Sequence, residues 1–296
     1  MRRVARPWRG DDEHGGTRYT GVLAMMSASG SEAVELITPE WEAPVDIRAV
    51  MTTRLGGVSV EPWASLNLGV HVGDSAASVL ENRARVRKEA QLPSEPVWLE
   101  QVHGSSVVVL DAGNIPRTAT AEQLMDSRRP RADAAVTRQA GVVCAIQVAD
   151  CLPVLFAARD GSVVGAAHAG WRGLASGVLG ATVAAMEVPA DQVVAWLGPA
   201  IGPQNFEVGE DVVAAFAATA HSDQRAQTEA AFLPQPNGKW LCDLFTLARL
   251  RLAAAGVTHV SGGGLCTVSD ARRFYSYRRD GQTGRMAALV WLAGLS

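Results

Sequence analysis

Three short segments of this 296-residue chain place a metal-binding or nucleophilic side chain at the edge of an apolar run, beside glycine or proline. They are Gln101-Val102-His103-Gly104, Ala149-Asp150-Cys151-Leu152-Pro153 and Ala167-His168-Ala169-Gly170. Two imidazoles and a thiolate form a borderline-soft donor set that suits Zn²⁺, and three protein ligands leave a fourth position open for water or substrate. Copper accepts the same donors, although the axial thioether of an electron-transfer site has no evident candidate. The segments are too far apart for a zinc finger and suit ligands brought together by different strands. Two other readings stand beside the metal site. In one, Cys151 is a nucleophile with His168 or His103 as its base. In the other, Cys151 is a small buried hydrophobe and the histidines are turn or core residues. Spacing alone does not separate the three.

Arginines next to glycines form a second constellation: Arg54 in TTRLGG, Arg172 in GWRG, and Arg278-Arg279 in YSYRRDG. Arg172 stands where a helix would start, and free backbone N–H groups beside a guanidinium favour an anion such as phosphate. Asp150 precedes Cys151, while Asp133 and Glu100 lie near strand ends. Each suits a general acid or a partner that orients a ligating histidine. The chain has no P-loop, dinucleotide-binding glycine fingerprint, GxSxG elbow or HExxH helix. ATP- and NAD-dependent chemistry and two common hydrolase types therefore lack support.

The elements that must position these residues follow from apolar periodicity. Strands are expected at Val45–Thr53, Val97–His103, Ser106–Leu110, Ala132–Thr137, Val142–Val148, Val154–Ala158, Ser162–Ala167 and Val193–Leu197. Helices are expected at Ala76–Gln91, Leu174–Met186, Gly209–Ala220 and Leu244–Ala255, the last capped by Asp243 and closed by Gly256. Ala112–Arg131 reads as a loop or insertion. The C-terminal stretch from Cys266 reads as strand, polar loop and strand. Interleaved strands and helices without strict βαβ spacing predict a mixed α+β single domain. Residues 1–36 read as a disordered leader and residues 37–296 as that domain.

A net charge of -3 and a pI near 6.1 give no global attraction to nucleic acid or to an acidic membrane. No apolar run is long enough to span a bilayer. The four cysteines, Cys144, Cys151, Cys242 and Cys266, form no CxxC pair, which suits a reducing, cytoplasmic setting. All but Cys151 are expected to be dispensable for metal binding.

Taken together, several segments closely resemble the laccase-domain family. This YfiH-like group was first described as multicopper polyphenol oxidases and is now regarded as purine nucleoside phosphorylases. The matching residues are TRLGGVS from Thr53, SLNLG from Ser65, HVGD from His71 and VWLEQVHG from Val97. They continue with ADCLPVLF from Ala149, AHAGWRG from Ala167, LGPAIGP from Leu197, FEVG from Phe206 and FYSYRRDGQTGRMA from Phe274. The resemblance implies a catalytic zinc held by His103, Cys151 and His168. It also implies phosphorolysis of adenosine, inosine, guanosine and S-methyl-5′-thioadenosine, with adenosine deamination, so the partners expected are purine nucleosides and phosphate. The fold it implies is a set of mixed sheets sandwiched by helices, grouped with cysteine-hydrolase-like folds. On this reading Arg54, Arg172 and Arg278 are candidates to hold phosphate, and Asn67 and Asp150 to bind ribose or shuttle a proton. A copper-dependent phenol oxidase, a non-catalytic zinc-stabilised interaction protein and a thiol hydrolase of cell-wall precursors are the alternatives.

Overall fold

The apolar runs of the chain assemble into two sheets packed face to face. In the computed structural model, which describes residues 33–111 and 129–294, the first sheet is antiparallel throughout. Its order is β1 (Leu36–Ile37), β2 (Ile47–Thr52), β13 (Met286–Leu292) and β5 (Val143–Val148). The second runs β12 (His259–Gly262), β8 (Val193–Leu197), β6 (Leu152–Ala158), β7 (Val164–Ala169), β4 (Ala134–Thr137) and β3 (Val107–Leu110). Its outermost pairs are parallel and its inner pairs antiparallel. A small third sheet joins β10 (Phe232–Pro234), β11 (Trp240–Cys242) and β9 (Glu207–Val208).

Alternation along β6 shows how the layers form, because successive side chains point to opposite faces. Leu155 and Ala157 face the first sheet, meeting Met51, Ile146, Met286 and Val290. Val154 and Phe156 face the other way, toward the helices. Those helices are α2 (Trp171–Ala175), α3 (Val178–Ala185), α4 (Glu210–Ala218), α5 (Arg225–Ala230) and α6 (Leu244–Ala254). Their core side chains include Leu174, Leu179, Phe216, Thr228 and Leu247, all buried. The outer face of the first sheet presents Ala145, Ala287 and Leu289 to Leu66, Leu68, Trp98 and Val86 of α1 (Ala76–Glu89). A short α7 (Tyr277–Asp280) precedes β13. The result is helix, sheet, sheet, helix: the mixed α+β sandwich expected.

Four local expectations need correction. Val97–His103 is extended but makes only isolated bridges, at Val97 with Cys144 and at Glu100 with Arg131. The helix expected over Leu174–Met186 is two helices, because Gly177 adopts φ +90° between α2 and α3. Cys266 makes an isolated bridge to Ala200 instead of starting a strand, and the polar stretch after it includes α7. Leu36, assigned to the leader, already pairs with Thr52 in β1. Residues 1–32 and most of the expected insertion lie outside the described residues. The Asp243 cap is as expected: its Oδ1 accepts the N–H groups of Phe245 at 3.0 Å and Thr246 at 3.1 Å.

Asn82, buried on α1, ties the Arg54–Gly69 segment to the sandwich. Its Oδ1 accepts from Val58 N, and its Nδ2 donates to the Asn67 and Ser65 carbonyls and to Ser59 Oγ. Replacing it with Ala strands several buried groups, each worth about 1–3 kcal/mol. Asn82→Ala is therefore expected to lower the melting temperature by roughly 5–10 °C in a thermal melt.

Candidate metal centre

Cys151 owes its position to a change of sheet. Strand β5 ends at Val148 in the first sheet and β6 begins at Leu152 in the second, so Ala149–Cys151 is the crossing between them. The crossing turns on Asp150, whose φ is +86°, in the left-handed region that Asp tolerates better than most residues. Its buried carboxylate takes three donors: Thr267 Oγ1 at 2.5 Å, Ser276 Oγ at 3.0 Å and the Arg278 backbone N–H at 2.7 Å. These bonds pin the crossing against the C-terminal loop. Asp150 thereby anchors the approach to Cys151.

His168 lies on β7 opposite Pro153, one strand over from Cys151. His103 follows the extended Val97–Val102 segment at φ +61°. That segment is fastened to β5 by a side-chain pairing in place of a ladder. Gln147 N donates to Gln101 Oε1 and Gln101 Nε2 to the Gln147 carbonyl, each at 2.8 Å. The three donor atoms of His103, Cys151 and His168 fall within 4.8 Å of one another. His103 Nε2 lies 3.9 Å from Cys151 Sγ, and the two imidazoles meet edge to face with centroids 4.7 Å apart. His168 is buried, Cys151 half-buried and His103 exposed, so the cluster is open on one side.

One buried carboxylate organises the pair of histidines. Asp133 Oδ1 accepts from His168 Nδ1 at 2.9 Å and from the His103 backbone N–H at 2.8 Å. Its Oδ2 accepts from Gly104 N at 2.7 Å and Val102 N at 3.3 Å. Of the two carboxylates weighed beside it, Glu100 faces outward to Arg131. Holding Nδ1 leaves Nε2 of His168 as the free ring nitrogen for a ligand, the usual device for orienting a metal-bound imidazole. Burial works against the charged forms of Asp133, Cys151 and His168, and mutual attraction outweighs it. Hydrogen bonds from His168 and the Gly104 amide hold Asp133 below the usual carboxylate range. The His168 charge draws the Cys151 thiol down to about 6, and Cys151 with Asp133 raises His168 to about 9.

The glycines of AHAGWRG explain themselves here. A Cβ on Gly170 would stand 2.8 Å from Cys151 Sγ and 3.3 Å from the His103 ring, inside the cluster. One on Gly173 would stand 2.7 Å from the Gly104 carbonyl, driving α2 away from the His103 turn. A thiolate and two imidazoles converging on a space that glycine keeps open fit a zinc ion by donor type and number.

The other expected site residues are not gathered at this cluster by any hydrogen bond. Asn67 is fully buried and its amide is fully used. Nδ2 donates to the Gly69 carbonyl and Asp74, and Oδ1 accepts from the amides of Gly69 and Arg285. It clasps two loops. Arg54 donates to the Ala64 and Ala271 carbonyls and lies over the Tyr275 ring. Arg278 donates to the Glu207 carbonyl beside Phe206. Arg172 is exposed and stacks on Trp171; the helix it opens has five residues, too short for the helix-terminus argument. Gln101 and Gln147 were missed by sequence reasoning, because no local pattern marks a side-chain pair that replaces a ladder.

Two outcomes are expected. In metal-free protein at neutral pH, iodoacetamide should alkylate Cys151 well before Cys144 and Cys242, whose thiols burial pushes up. The rate should fall as pH drops through about 6, where the Cys151 thiolate protonates. Asp133→Asn should weaken metal binding by roughly 10–100-fold in a chelator competition.

The profile of the family described as multi-copper polyphenol oxidoreductase laccase matches residues 48–293. A purine nucleoside phosphorylase of Pseudomonas aeruginosa is 52% identical over 257 residues, covering 86% of this chain and 98% of the relative. The purine nucleoside phosphorylase YfiH of Escherichia coli is 48% identical over 258 residues, 87% of this chain and 99% of its own. Among solved structures, a Neisseria meningitidis protein superposes with a TM-score of 0.77 at 47% identity, over 88% of this chain and 99% of its own. YlmD from Geobacillus stearothermophilus does so with a TM-score of 0.78 at 32% identity, over 91% and 98%. By sequence and by fold, the chain belongs to the YfiH-like laccase-domain family.

Proposed function

We propose that this chain is a zinc-dependent purine nucleoside phosphorylase acting on adenosine, inosine, guanosine and S-methyl-5′-thioadenosine, with adenosine deaminase activity. The observation that carries the reading is the His103–Cys151–His168 cluster, open on the His103 side, in a chain 52% identical to a purine nucleoside phosphorylase. In phosphorolysis the bond between ribose C1′ and the purine nitrogen breaks, a phosphate oxygen bonds to C1′, and the purine leaves carrying a proton. In deamination, water replaces the amine at purine C6 and ammonia departs.

His103, Cys151 and His168 would hold the zinc, which supplies a Lewis acid and a lowered water pKa at its open position. The chain's own part is orientation. Asp133 fixes the ring of His168 and the backbone of His103 through one carboxylate. Asp150 fixes the approach of Cys151. The exposed His103 edge is the side from which substrate arrives, because His168 is buried and Cys151 half-buried.

A second reading has its own support. Asp133, His168 and Cys151 also form the carboxylate–imidazole–thiolate order of a thiol hydrolase, with a thiol pKa drawn down to about 6. Copper in the same donor set is the reading closest to the family description.

Metal-analysed protein incubated with adenosine is expected to yield adenine and ribose 1-phosphate only when phosphate is present, and inosine with ammonia in either case. His168→Ala and Cys151→Ala should lose metal and both activities together. A zinc-replete protein that leaves adenosine intact in phosphate would contradict the proposal. Turnover of an ester or amide by metal-free protein would favour the thiol hydrolase, and phenol oxidation that requires copper would favour the oxidase.

A further inference from the structure

We propose that the seam between Leu68–His71 and Thr283–Arg285 is an oxyanion seat, with Arg285, Arg83, Thr283 and His71 as its polar lining and inorganic phosphate as its ligand. The choice of phosphate rests on the phosphorylase reading; the seat itself rests on the geometry below.

Arg285 stands beside the crossing that carries Cys151. The register pairs Met286 of β13 with Val148 of β5, so Arg285, one residue earlier, flanks Ala149. Its side chain lies on Gly69, where a Cβ would come within 2.8 Å of the Arg285 Cγ. Backbone bonds lock the two strips together: Leu68 N donates to the Arg285 carbonyl at 3.0 Å, and Arg285 N to Asn67 Oδ1 at 2.9 Å. Among the described residues only Nη1 of its guanidinium is engaged, with the Thr283 and Gly284 carbonyls. Among the described residues Arg285 forms no ion pair with a carboxylate.

Two buried polar atoms at the same seam lack partners. Arg83 is 4% exposed and reaches the strip from below, with Nε and Nη2 on the Leu68 carbonyl at 3.1 and 2.8 Å, yet its Nη1 has no hydrogen-bond partner. Thr283 is 2% exposed, and its Oγ1 likewise has none. A buried donor without a partner costs stability, and such groups are few in folded proteins. Two of them beside an uncompensated guanidinium are what an absent anion would leave. His71, two residues beyond Gly69, reports the same field. Burial and then the charges of Arg285, Arg129 and Arg83 hold its imidazole down at about 4, so it is neutral at pH 7. The acids that act on this group are Glu95 on Arg83, and Cys151, Asp150 and Tyr277 on Arg285. The Asp150 carboxylate is already taken by its three donors.

The competing explanation is that Arg83 and Arg285 only brace the loops; Arg83 stacks on Trp98 at 3.9 Å, for instance. Phosphate titration separates the two. Zinc-loaded full-length protein is titrated calorimetrically with inorganic phosphate, and the same is done for Arg285→Gln, Thr283→Val and, as a surface-charge control, Arg48→Gln. The seat predicts that Arg285→Gln raises the phosphate Kd about tenfold or more and Thr283→Val about threefold, with zinc content unchanged and Arg48→Gln without effect. Thr283→Val preserves volume, so it decides the matter if Arg285→Gln fails to fold. Both variants folding and binding phosphate as wild type does would overturn the seat, and so would an equal loss in Arg48→Gln. Nucleoside cleavage whose phosphate KM is unmoved by either variant overturns the seat and leaves the phosphorylase reading standing. Phosphate binding lost in both variants, in a wild-type protein that cleaves no nucleoside, supports the seat and sinks that reading.

Discussion

The Asp133 carboxylate is the interaction on which the candidate centre depends. It lies at the start of β4, fully buried, and accepts four N–H groups from a single pair of oxygens. A lone buried carboxylate would be expensive, but one that collects this many donors is stabilised in its charged form. The arrangement does two structural tasks at once. It closes the turn that carries His103 into the left-handed region, and it sets which nitrogen of His168 faces Cys151. Because both histidines hang on the same oxygen, Oδ1, a shift at one is felt by the other.

Around that carboxylate, the sandwich acts as a frame with a gap at one end. The two sheets share a core, yet the chain must pass between them at Ala149–Cys151, and that passage carries the thiol. Three donors from the C-terminal loop hold Asp150 in an unfavourable backbone conformation, so the crossing is fixed by contacts distant in sequence. Strain of this kind persists only where surroundings over-determine it, and it gathers at functional sites. The Gln101–Gln147 clasp and the close approach of Gly173 to Gly104 complete the frame. Every residue of β5 and β6 is buried, which gives the passage rigid ends.

Much of this was legible in the sequence. Apolar runs marked β5, β6 and β8, broken only by Gln147 in β5, because strands buried on both faces leave no alternation to misread. Asp243 and Gly256 marked the ends of α6 through cap chemistry that is local. The break at Ala149–Pro153 was visible too, though not that it crosses between sheets. What failed was long-range. Val97–His103 has the composition of a strand, but its pairing partner supplies a glutamine side chain in place of a ladder. Gly177 split a helix that alanine content predicted as continuous, since a left-handed residue outweighs propensity. Asn67 and Asp150 carry the residue types of catalysis, and the bonds that make each a clasp between distant segments come only from tertiary contacts. Asp133 stood among the candidates without any local signal to set it above Glu100; burial and register decided it.

The central claim is that His103, Cys151 and His168 hold one metal ion on the Asp133 frame. Zinc K-edge X-ray absorption of the zinc-loaded protein tests it most directly. The account predicts a shell of two imidazole nitrogens and one sulfur at about 2.3 Å, with the sulfur lost in Cys151→Ala. A shell without sulfur, or one unchanged by Cys151→Ala, would contradict it.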